Sequence, residues 1–235
     1  MNTSVLIYSC DAYSDVWEPF FTLFYRYWKC PYRVYITCET KKCYVPGVTT
    51  INTSGSWTER MHEAVKQIPT KYVIGMCEDM FMRRRVHDDV IETCIERMEQ
   101  DKWIANFNFE KEYDWTLPSK FECWGKKPYG NHYQKSCQPT LWRRAILMEL
   151  LSVSCDAWEW EMSAAPPEYD YYIWTGSADD LVFEYGYRNN EWFGIQKGKW
   201  VSHDVVPLFE REHIDIDYSI RGFVLRGKNL NRYIT

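Results

Sequence analysis

The sequence lacks most of the short motifs that identify common enzyme classes. Its 11 glycines form no G-x-G pair and no G-x-x-x-x-G-K-[S/T], and no G-x-S-x-G occurs. These absences argue against a Rossmann dinucleotide site, a P-loop nucleoside triphosphatase and the usual serine-hydrolase elbow. The nine cysteines include no C-x-x-C and no Cys/His spacing typical of a zinc site. We therefore expect reduced thiols and a cytoplasmic setting.

Long apolar runs and an excess of positive charge are missing too. No stretch of 18 apolar residues occurs, and no basic region precedes the short apolar stretch at the N-terminus. We expect neither a transmembrane segment nor a signal peptide, although peripheral membrane contact stays open. The net charge of −5 argues against nucleic acid as a partner, because such binding needs basic surface to displace counterions.

The composition is otherwise that of a folded globular protein, with 46% hydrophobic and 26% charged residues in a chain of 235. Aromatic residues are abundant, with 12 Trp, 18 Tyr and 11 Phe. We expect most of these rings to fill the core, since each buries a large area. The remaining rings are able to stack on sugars or bases.

The first half of the chain alternates between strand and helix patterns. Apolar or alternating runs predict strands at 5–9, 33–38, 48–52, 71–77 and 103–109. Between them, Asp15-x-x-Glu18 and Ser56-x-x-Glu59 are typical of helix N-termini, and a third apolar helical pattern starts at Val86. This order predicts an α/β fold with a mixed, mostly parallel sheet and helices on both faces.

The second half is less regular. We predict irregular structure over 110–137, a helix capped by Thr140 and a loop over 164–180. Segments 182–187 and 192–196 are predicted to form a hairpin, and the tail from Ser202 shows no clear pattern.

Two adjacent carboxylates, Glu78 and Asp79, directly follow the apolar run KYVIGMC. In open α/β sheets, ligands bind beyond the carboxyl ends of the strands. A hard divalent cation takes oxygen ligands there, often one or two carboxylates together with phosphates of the ligand. A solvated acidic turn is the alternative interpretation of the pair.

Several segments together resemble glycosyltransferases of the GT-A fold, of the family-2-like sort found in bacterial cell-surface glycan biosynthesis. In order along the chain they are VLIYSCDAY, RVYITCET, WTERMHEA, YVIGMCEDMF, CQPTLWRRAILMELL and AWEWE. The resemblance covers residues 3–161 and is weaker to 223. It implies one domain over 1–235, with a nucleotide-sugar-binding half at 1–110 and an acceptor half with a C-terminal tail at 111–235. One departure is clear, because E-D-M lacks the third-position carboxylate of the Asp-x-Asp motif.

The resemblance also implies roles for residues of the first half. Ser9 and Asp11 would lie by the base and ribose of a nucleoside-diphosphate sugar, and Glu39 would contact the same nucleoside. Asp79 would hold a divalent metal, Mn²⁺ or Mg²⁺, that bridges the diphosphate, with Glu78 near the donor sugar or ribose. For Ser9, Asp11 and Glu39, a turn or an exposed charge is the structural alternative.

The W-E-W-E segment supplies a candidate general base, which an inverting transfer needs to take the proton of the acceptor hydroxyl. Glu161 matches the acidic position of the family best, with Glu159 and Asp156 as rivals. If the segment is a strand, Glu159 and Glu161 share a face. His203, in the C-terminal part of the chain, is a candidate for the metal ligand that some GT-A enzymes have there, although a lone histidine is more often structural.

These observations predict a glycosyltransferase that moves a sugar from a nucleoside diphosphate to a glycan, lipid-linked or other hydroxyl acceptor. Two alternatives stay open, a non-catalytic glycan-binding protein with the same fold and a nucleotidyltransferase. Fold analogy alone does not decide among them.

Overall fold

The structure is a computed structural model, and it describes residues 2–111, 115–186 and 193–224. Eight strands form the main sheet, in the order β3-β2-β1-β4-β7-β5-β8-β6. Their bounds are β1 Thr3–Tyr8, β2 Arg33–Cys38, β3 Val48–Asn52, β4 Tyr72–Cys77, β5 Ile104–Lys111, β6 Trp124–Lys126, β7 Thr140–Arg143 and β8 Asp170–Trp174. A separate hairpin pairs β9 Ile195–Gln196 with β10 Lys199–Trp200.

The sheet is mixed and mostly parallel, as predicted. Strands β1 to β4 pair in parallel, whereas β7 runs antiparallel to both β4 and β5, and β6 runs antiparallel to β8. The strand order leads from β1 to β2 and β3 on one side, and β4 lies on the other side of β1. The β1–β4 pair is therefore a topological switch point, where the carboxyl ends of neighbouring strands open a crevice.

Helices cover both faces of the sheet, which confirms the prediction. Their bounds are α1 Trp17–Tyr27, α2 Trp57–Gln67, α3 Asp88–Gln100, α4 Arg144–Leu150, α5 Ala157–Met162 and α6 Ser202–Glu212. Buried residues of α1, α3 and α6 join one apolar core, and those of α2, α4 and α5 join a second core. Most aromatic rings lie in these cores, because a ring removes much apolar area from water.

The helix starts follow the predicted chemistry in one case and depart from it in another. At α2, the Ser56 side chain accepts from the Glu59 amide and the Glu59 carboxylate accepts from the Ser56 amide, which is the predicted capping box. At α1, Val16 is the N-cap residue and makes no side-chain cap. Asp15 is not a cap, because its carboxylate pairs with the Arg221 guanidinium instead.

The second half differs most from the sequence prediction. Thr140 does not cap a helix but starts β7, and α4 follows directly. The segment predicted as a loop over 164–180 contains β8, and the W-E-W-E segment is the helix α5 and not a strand. The tail from Ser202 begins with α6. The hairpin predicted from 182–187 and 192–196 falls partly outside the described residues.

The nine cysteines are all free in the structure. Among the described residues, no helix combines the length and apolarity needed to cross a membrane.

Candidate active site

The switch point of the sheet joins two of the predicted site residues directly. Ser9 follows β1, Glu78 follows β4, and the Ser9 hydroxyl donates a 2.8 Å hydrogen bond to Glu78 Oε1. The same hydroxyl accepts a 2.7 Å hydrogen bond from the Trp17 indole N–H. Trp17 lies in the first turn of α1, so the helix fixes the rotamer of Ser9. The two strand ends are therefore held in one rigid arrangement.

A buried arginine extends this arrangement to the end of β2. Arg60 lies on the inner side of α2, where its Nη2 donates to the Ser9 carbonyl at 2.6 Å and its Nη1 pairs with Glu39 Oε1 at 2.7 Å. The second oxygen of Glu39 accepts from the Asp11 amide at 2.6 Å. Glu39 thus joins the ends of β1 and β2, and the guanidinium compensates its charge.

Asp11 fastens the loop after β1 to the loop after β2. Its carboxylate accepts the amides of Glu39, Thr40 and Lys41 and the Thr40 hydroxyl, at distances of 2.6 to 3.1 Å. These bonds, the one from the Thr40 hydroxyl above all, lower the pKa of Asp11 to about 2. Asp11 therefore fixes the conformation of the loop after β2.

Glu78 and Asp79 lie in the turn that follows β4, with Glu78 buried and Asp79 partly buried. Burial raises the pKa of both carboxyls, and the charge of Asp79 raises that of Glu78 further. Two such carboxylates in a crevice favour a cation close to them.

The C-terminal part of the chain closes one side of this turn. Gly194 has a φ of +58°, and a Cβ atom there would lie 2.2 Å from the Asp79 carbonyl oxygen, so only glycine fits. The Asp204 carboxylate accepts the Gly194 amide at 2.7 Å and pairs with Arg83. The segment from 193 onward is therefore fastened to the loop after β4.

Arg221 brings a buried cation close to the same turn. Its guanidinium pairs with Asp15 at 2.5 and 2.7 Å, and it stacks 4.2 Å from the centre of the Tyr13 ring. Burial, followed by the charges of Asp79 and Glu78, raises the pKa of Tyr13 to about 12.

Glu161 occupies the last turn of α5 and is partly buried, with Oε1 accepting the Cys137 amide at 2.6 Å. Burial raises its pKa, and the Cys137 hydrogen bond opposes that shift. A raised pKa suits a carboxylate that must accept a proton from a hydroxyl group.

Glu161 is linked to the end of β4 through Cys137, whose amide bonds to the Glu161 carboxylate and whose side chain lies in the apolar cluster against which Cys77 packs. The largest influence on the pKa of the Cys77 thiol is a hydrogen bond with Cys137, which lowers it. Burial and the charges of Asp79, Glu78 and Glu161 outweigh that bond and raise the pKa to about 11. The charges of all three carboxylates therefore act on this one partly buried thiol.

Glu159, the rival base, is placed differently. Because the segment is helical, Glu159 and Glu161 are about 200° apart around the axis and do not share a face. The Glu159 carboxylate accepts the Asp156 amide, while the Asp156 carboxylate accepts the Glu159 amide. Both rivals of Glu161 thus serve as the capping box of α5.

His203 lies in the first turn of α6 and is exposed. Over the described parts of the chain, no group of three or more His, Cys, Asp or Glu residues is arranged to hold a metal ion.

Arg60 and Arg221 are the two site residues that the sequence interpretation missed. The sequence does indicate Arg60, because it lies four positions before Ala64 and next to Met61, on the buried face of α2. A charged residue on a buried stripe needs a partner. Arg221 stands in a segment without a periodic pattern, so only the tertiary structure brings it to the site.

Comparisons with known proteins add likenesses of overall structure only. No protein-family model matches the chain, and no curated protein sequence matches it. Among solved structures, 2-C-methyl-D-erythritol 4-phosphate cytidylyltransferase from Thermus thermophilus aligns over 80% of this chain and 94% of its own, at 11% identity and a TM-score of 0.47. S. aureus TarS 1–349 in complex with UDP aligns over 75% of this chain and 61% of its own, at 14% identity and a TM-score of 0.39.

The bifunctional IspDF from Campylobacter jejuni aligns over 75% of this chain, at 12% identity and a TM-score of 0.42. The chain spans only half of the IspDF chain. Likenesses at such identities and TM-scores carry no argument about the reaction, and we derive function from the geometry of the crevice.

Proposed function

We propose that the protein is a glycosyltransferase that moves a sugar from a nucleoside diphosphate to an acceptor hydroxyl, with inversion at the anomeric carbon. One observation carries the proposal. At the switch point of the sheet, the paired ends of β1 and β4 bring Ser9 into contact with Glu78. Glu161 of α5 bonds to the amide of Cys137, and Cys137 lies in one apolar cluster with Cys77 at the end of β4. Open α/β sheets bind ligands at such a point.

The nucleoside would lie over the loops after β1 and β2. Ser9, Asp11 and Glu39 form this surface, and Arg60 fixes it from below through its bonds to Ser9 and Glu39. The rigidity of these loops reduces the entropy that is lost on binding. The diphosphate then extends toward Asp79 at the end of β4.

Asp79 would hold a divalent cation together with the diphosphate oxygens, with Glu78 beside it. The residues fit this role, because two carboxylates with raised pKa in a crevice gain from a nearby positive charge. Such a cation supplies Lewis-acid stabilisation of the charge that develops on the leaving diphosphate. His203 stays a prediction, and the proposal does not depend on it.

Glu161 would act as the general base. As the acceptor oxygen forms a bond to the anomeric carbon, the hydroxyl proton passes to the Glu161 carboxylate. The bond between the anomeric carbon and the phosphate oxygen breaks, and the nucleoside diphosphate leaves. A positioned base of this kind contributes roughly 10²- to 10⁴-fold to the rate.

Product analysis separates this function from its alternatives. The protein is incubated with Mn²⁺, a mixture of oligosaccharide acceptors and, in separate reactions, UDP-, GDP- and dTDP-sugars or CTP. A glycosyltransferase releases the nucleoside diphosphate and extends an acceptor, and the release must disappear in Asp79→Asn. Pyrophosphate release from CTP supplied together with a sugar phosphate, which takes the cytidylyl group, indicates a nucleotidyltransferase. Oligosaccharide binding without turnover of any nucleotide indicates a glycan-binding protein.

A further inference from the structure

Two aromatic rings next to Glu161 remain largely outside the core. The Trp158 side chain is 61% exposed and that of Tyr133 is 37% exposed, although most other rings of the chain are buried. Their ring centres lie 6.2 Å apart in an edge-to-face arrangement. Because single exposed aromatics are common on protein surfaces, the contact between two of them beside a candidate base is the informative feature.

The helix α5 places Trp158 on the same side as Glu161. The two residues are three positions apart, so their side chains are neighbours on the helix surface. Trp160 faces the other way and is fully buried. Of the two tryptophans that flank the acidic residues, only Trp158 is therefore able to touch a ligand.

Tyr133 is fastened to the same end of α5. Its amide donates a 3.1 Å hydrogen bond to the Glu161 carbonyl. The neighbouring His132 ring bonds through Nδ1 to the Met162 carbonyl at 2.9 Å, so its Nε2 atom faces away from that bond. Burial, followed by the charge of Glu161, raises the pKa of Tyr133.

We infer that Trp158 and Tyr133 form the acceptor platform of the enzyme, and that the acceptor is a glycan whose terminal sugar ring lies against them. This inference rests on the proposed function and names its acceptor class. The face of an aromatic ring carries partial negative charge and attracts the partly positive C–H groups of a pyranose face. The sugar hydroxyls stay at the edge of the rings, where one of them meets Glu161.

The position of the pair favours a glycan over an unrelated apolar ligand. The Tyr133 backbone is bonded to that of Glu161, and the His132 ring is bonded to the end of α5, so polar side chains neighbour the platform. A sugar has both an apolar face for the rings and hydroxyls for such groups. An apolar ligand that covers the exposed His132 ring would leave its second nitrogen without a partner, which costs free energy on binding. The rings are also already ordered by their mutual contact, which reduces the entropic cost of binding.

Binding of oligosaccharides to the full chain tests the platform without any nucleotide. The probes are maltohexaose, cellotetraose and chitotetraose, with affinity measured by isothermal titration. We expect at least one probe to bind, Trp158→Ala and Tyr133→Ala each to weaken its binding about 3- to 10-fold, and Trp158→Phe to restore most of the loss. The matched control is Trp103→Ala. Trp103 is 50% exposed, and its ring centre lies 6.4 Å from that of Tyr169. It directly precedes β5, at the end of the sheet away from the carboxyl ends of the parallel strands.

Two results would overturn the inference, namely no binding of any probe to the wild type, or the same loss in Trp103→Ala as in Trp158→Ala. Failure of the proposed function looks different, because it would abolish nucleotide turnover while oligosaccharide binding stays. Where a probe is also extended by the enzyme, Trp158→Ala must raise the KM for the acceptor and leave the KM for the nucleotide sugar unchanged.

Discussion

The hydroxyl of Ser9 donates a 2.8 Å hydrogen bond to the carboxylate of Glu78, across the junction of β1 and β4. The same oxygen accepts the Trp17 indole N–H, so one small side chain satisfies two buried groups. The bond connects the loop that would receive a nucleoside to the turn that would receive a diphosphate. Under the proposed function, the nucleoside and diphosphate parts of the site therefore form one preformed surface.

Ser9→Ala should destabilise the protein because it leaves the buried Glu78 carboxylate and the Trp17 N–H unpaired. We expect a loss of about 1–3 kcal/mol in the free energy of unfolding, measured by urea denaturation. Ser54→Ala is the control, since Ser54 is exposed. Equal stability of the two variants would show that the Ser9 bond contributes nothing to the fold.

Asp11→Ala should loosen the loop after β2, because Asp11 accepts three of its amides. Hydrogen exchange should become faster at the Thr40 and Lys41 amides. Exchange within β4 should be unchanged, which provides the internal control. Nucleoside diphosphate binding should also weaken. Unchanged exchange at both amides would remove Asp11 from its role as the fastening residue.

Glu161→Gln should lower the rate of sugar transfer roughly 10²- to 10⁴-fold and leave donor binding intact. Glu159→Gln is the matched control, since that carboxylate serves in a capping box on another face of α5. In the wild type, the rate should fall as pH decreases through the raised pKa of Glu161, because the protonated carboxyl accepts no proton. A larger loss in Glu159→Gln would assign the base to that residue.

The same raised pKa predicts a stability effect with a definite sign. The folded state holds the Glu161 proton more tightly than the unfolded state does, so ionisation of Glu161 costs folding free energy at neutral and alkaline pH. Glu161→Gln should therefore melt at a higher temperature than the wild type at pH 8. The difference should disappear below the ordinary glutamate pKa. A lower melting temperature of the variant at pH 8 would contradict the sign.

Glu212, unlike Glu161, should stabilise the fold in its ionised form. Burial alone would raise its pKa, but hydrogen bonds from Tyr27, Arg26 and Arg211 lower it to about 2. Its contribution is present above the ordinary glutamate pKa and is lost as pH falls toward 2. Glu212→Gln should lower the free energy of unfolding by about 1–3 kcal/mol at pH 7. The difference in stability between the wild type and the variant should become smaller in acid. An equal difference in stability at pH 7 and pH 3 would show that the negative charge of Glu212 does not stabilise the fold.

The first half of the fold was predictable because its signals are local. The apolar run KYVIGMC defines a buried strand, and the Ser56 capping box defines the start of α2. The strand ends then place Ser9, Glu39 and Glu78 at one edge of the sheet. Their positions follow from strand direction alone.

The second half was less predictable because tertiary contacts override its local pattern. The W-E-W-E segment alternates like a strand, yet Asp156 caps it as a helix and Trp160 packs into the second core. The tail offers no pattern that would bring Arg221 to Asp15. Such contacts between distant segments form only in the folded chain.

The central claim is that the crevice at Glu78 and Asp79 binds a nucleoside diphosphate together with a divalent cation, and thermal unfolding tests it most directly. A ligand at 100 times its dissociation constant adds about 2.7 kcal/mol of stability, or roughly 5–10 °C for a chain of this length. We predict a shift of this size with UDP, GDP or dTDP plus Mn²⁺, a smaller shift with either component alone, and none in Asp79→Asn. The variant should melt within a few degrees of the wild type without ligand, as should the control Asp89→Asn. No shift of the wild type with any of these nucleotides, or the same shift in Asp79→Asn, would contradict the account.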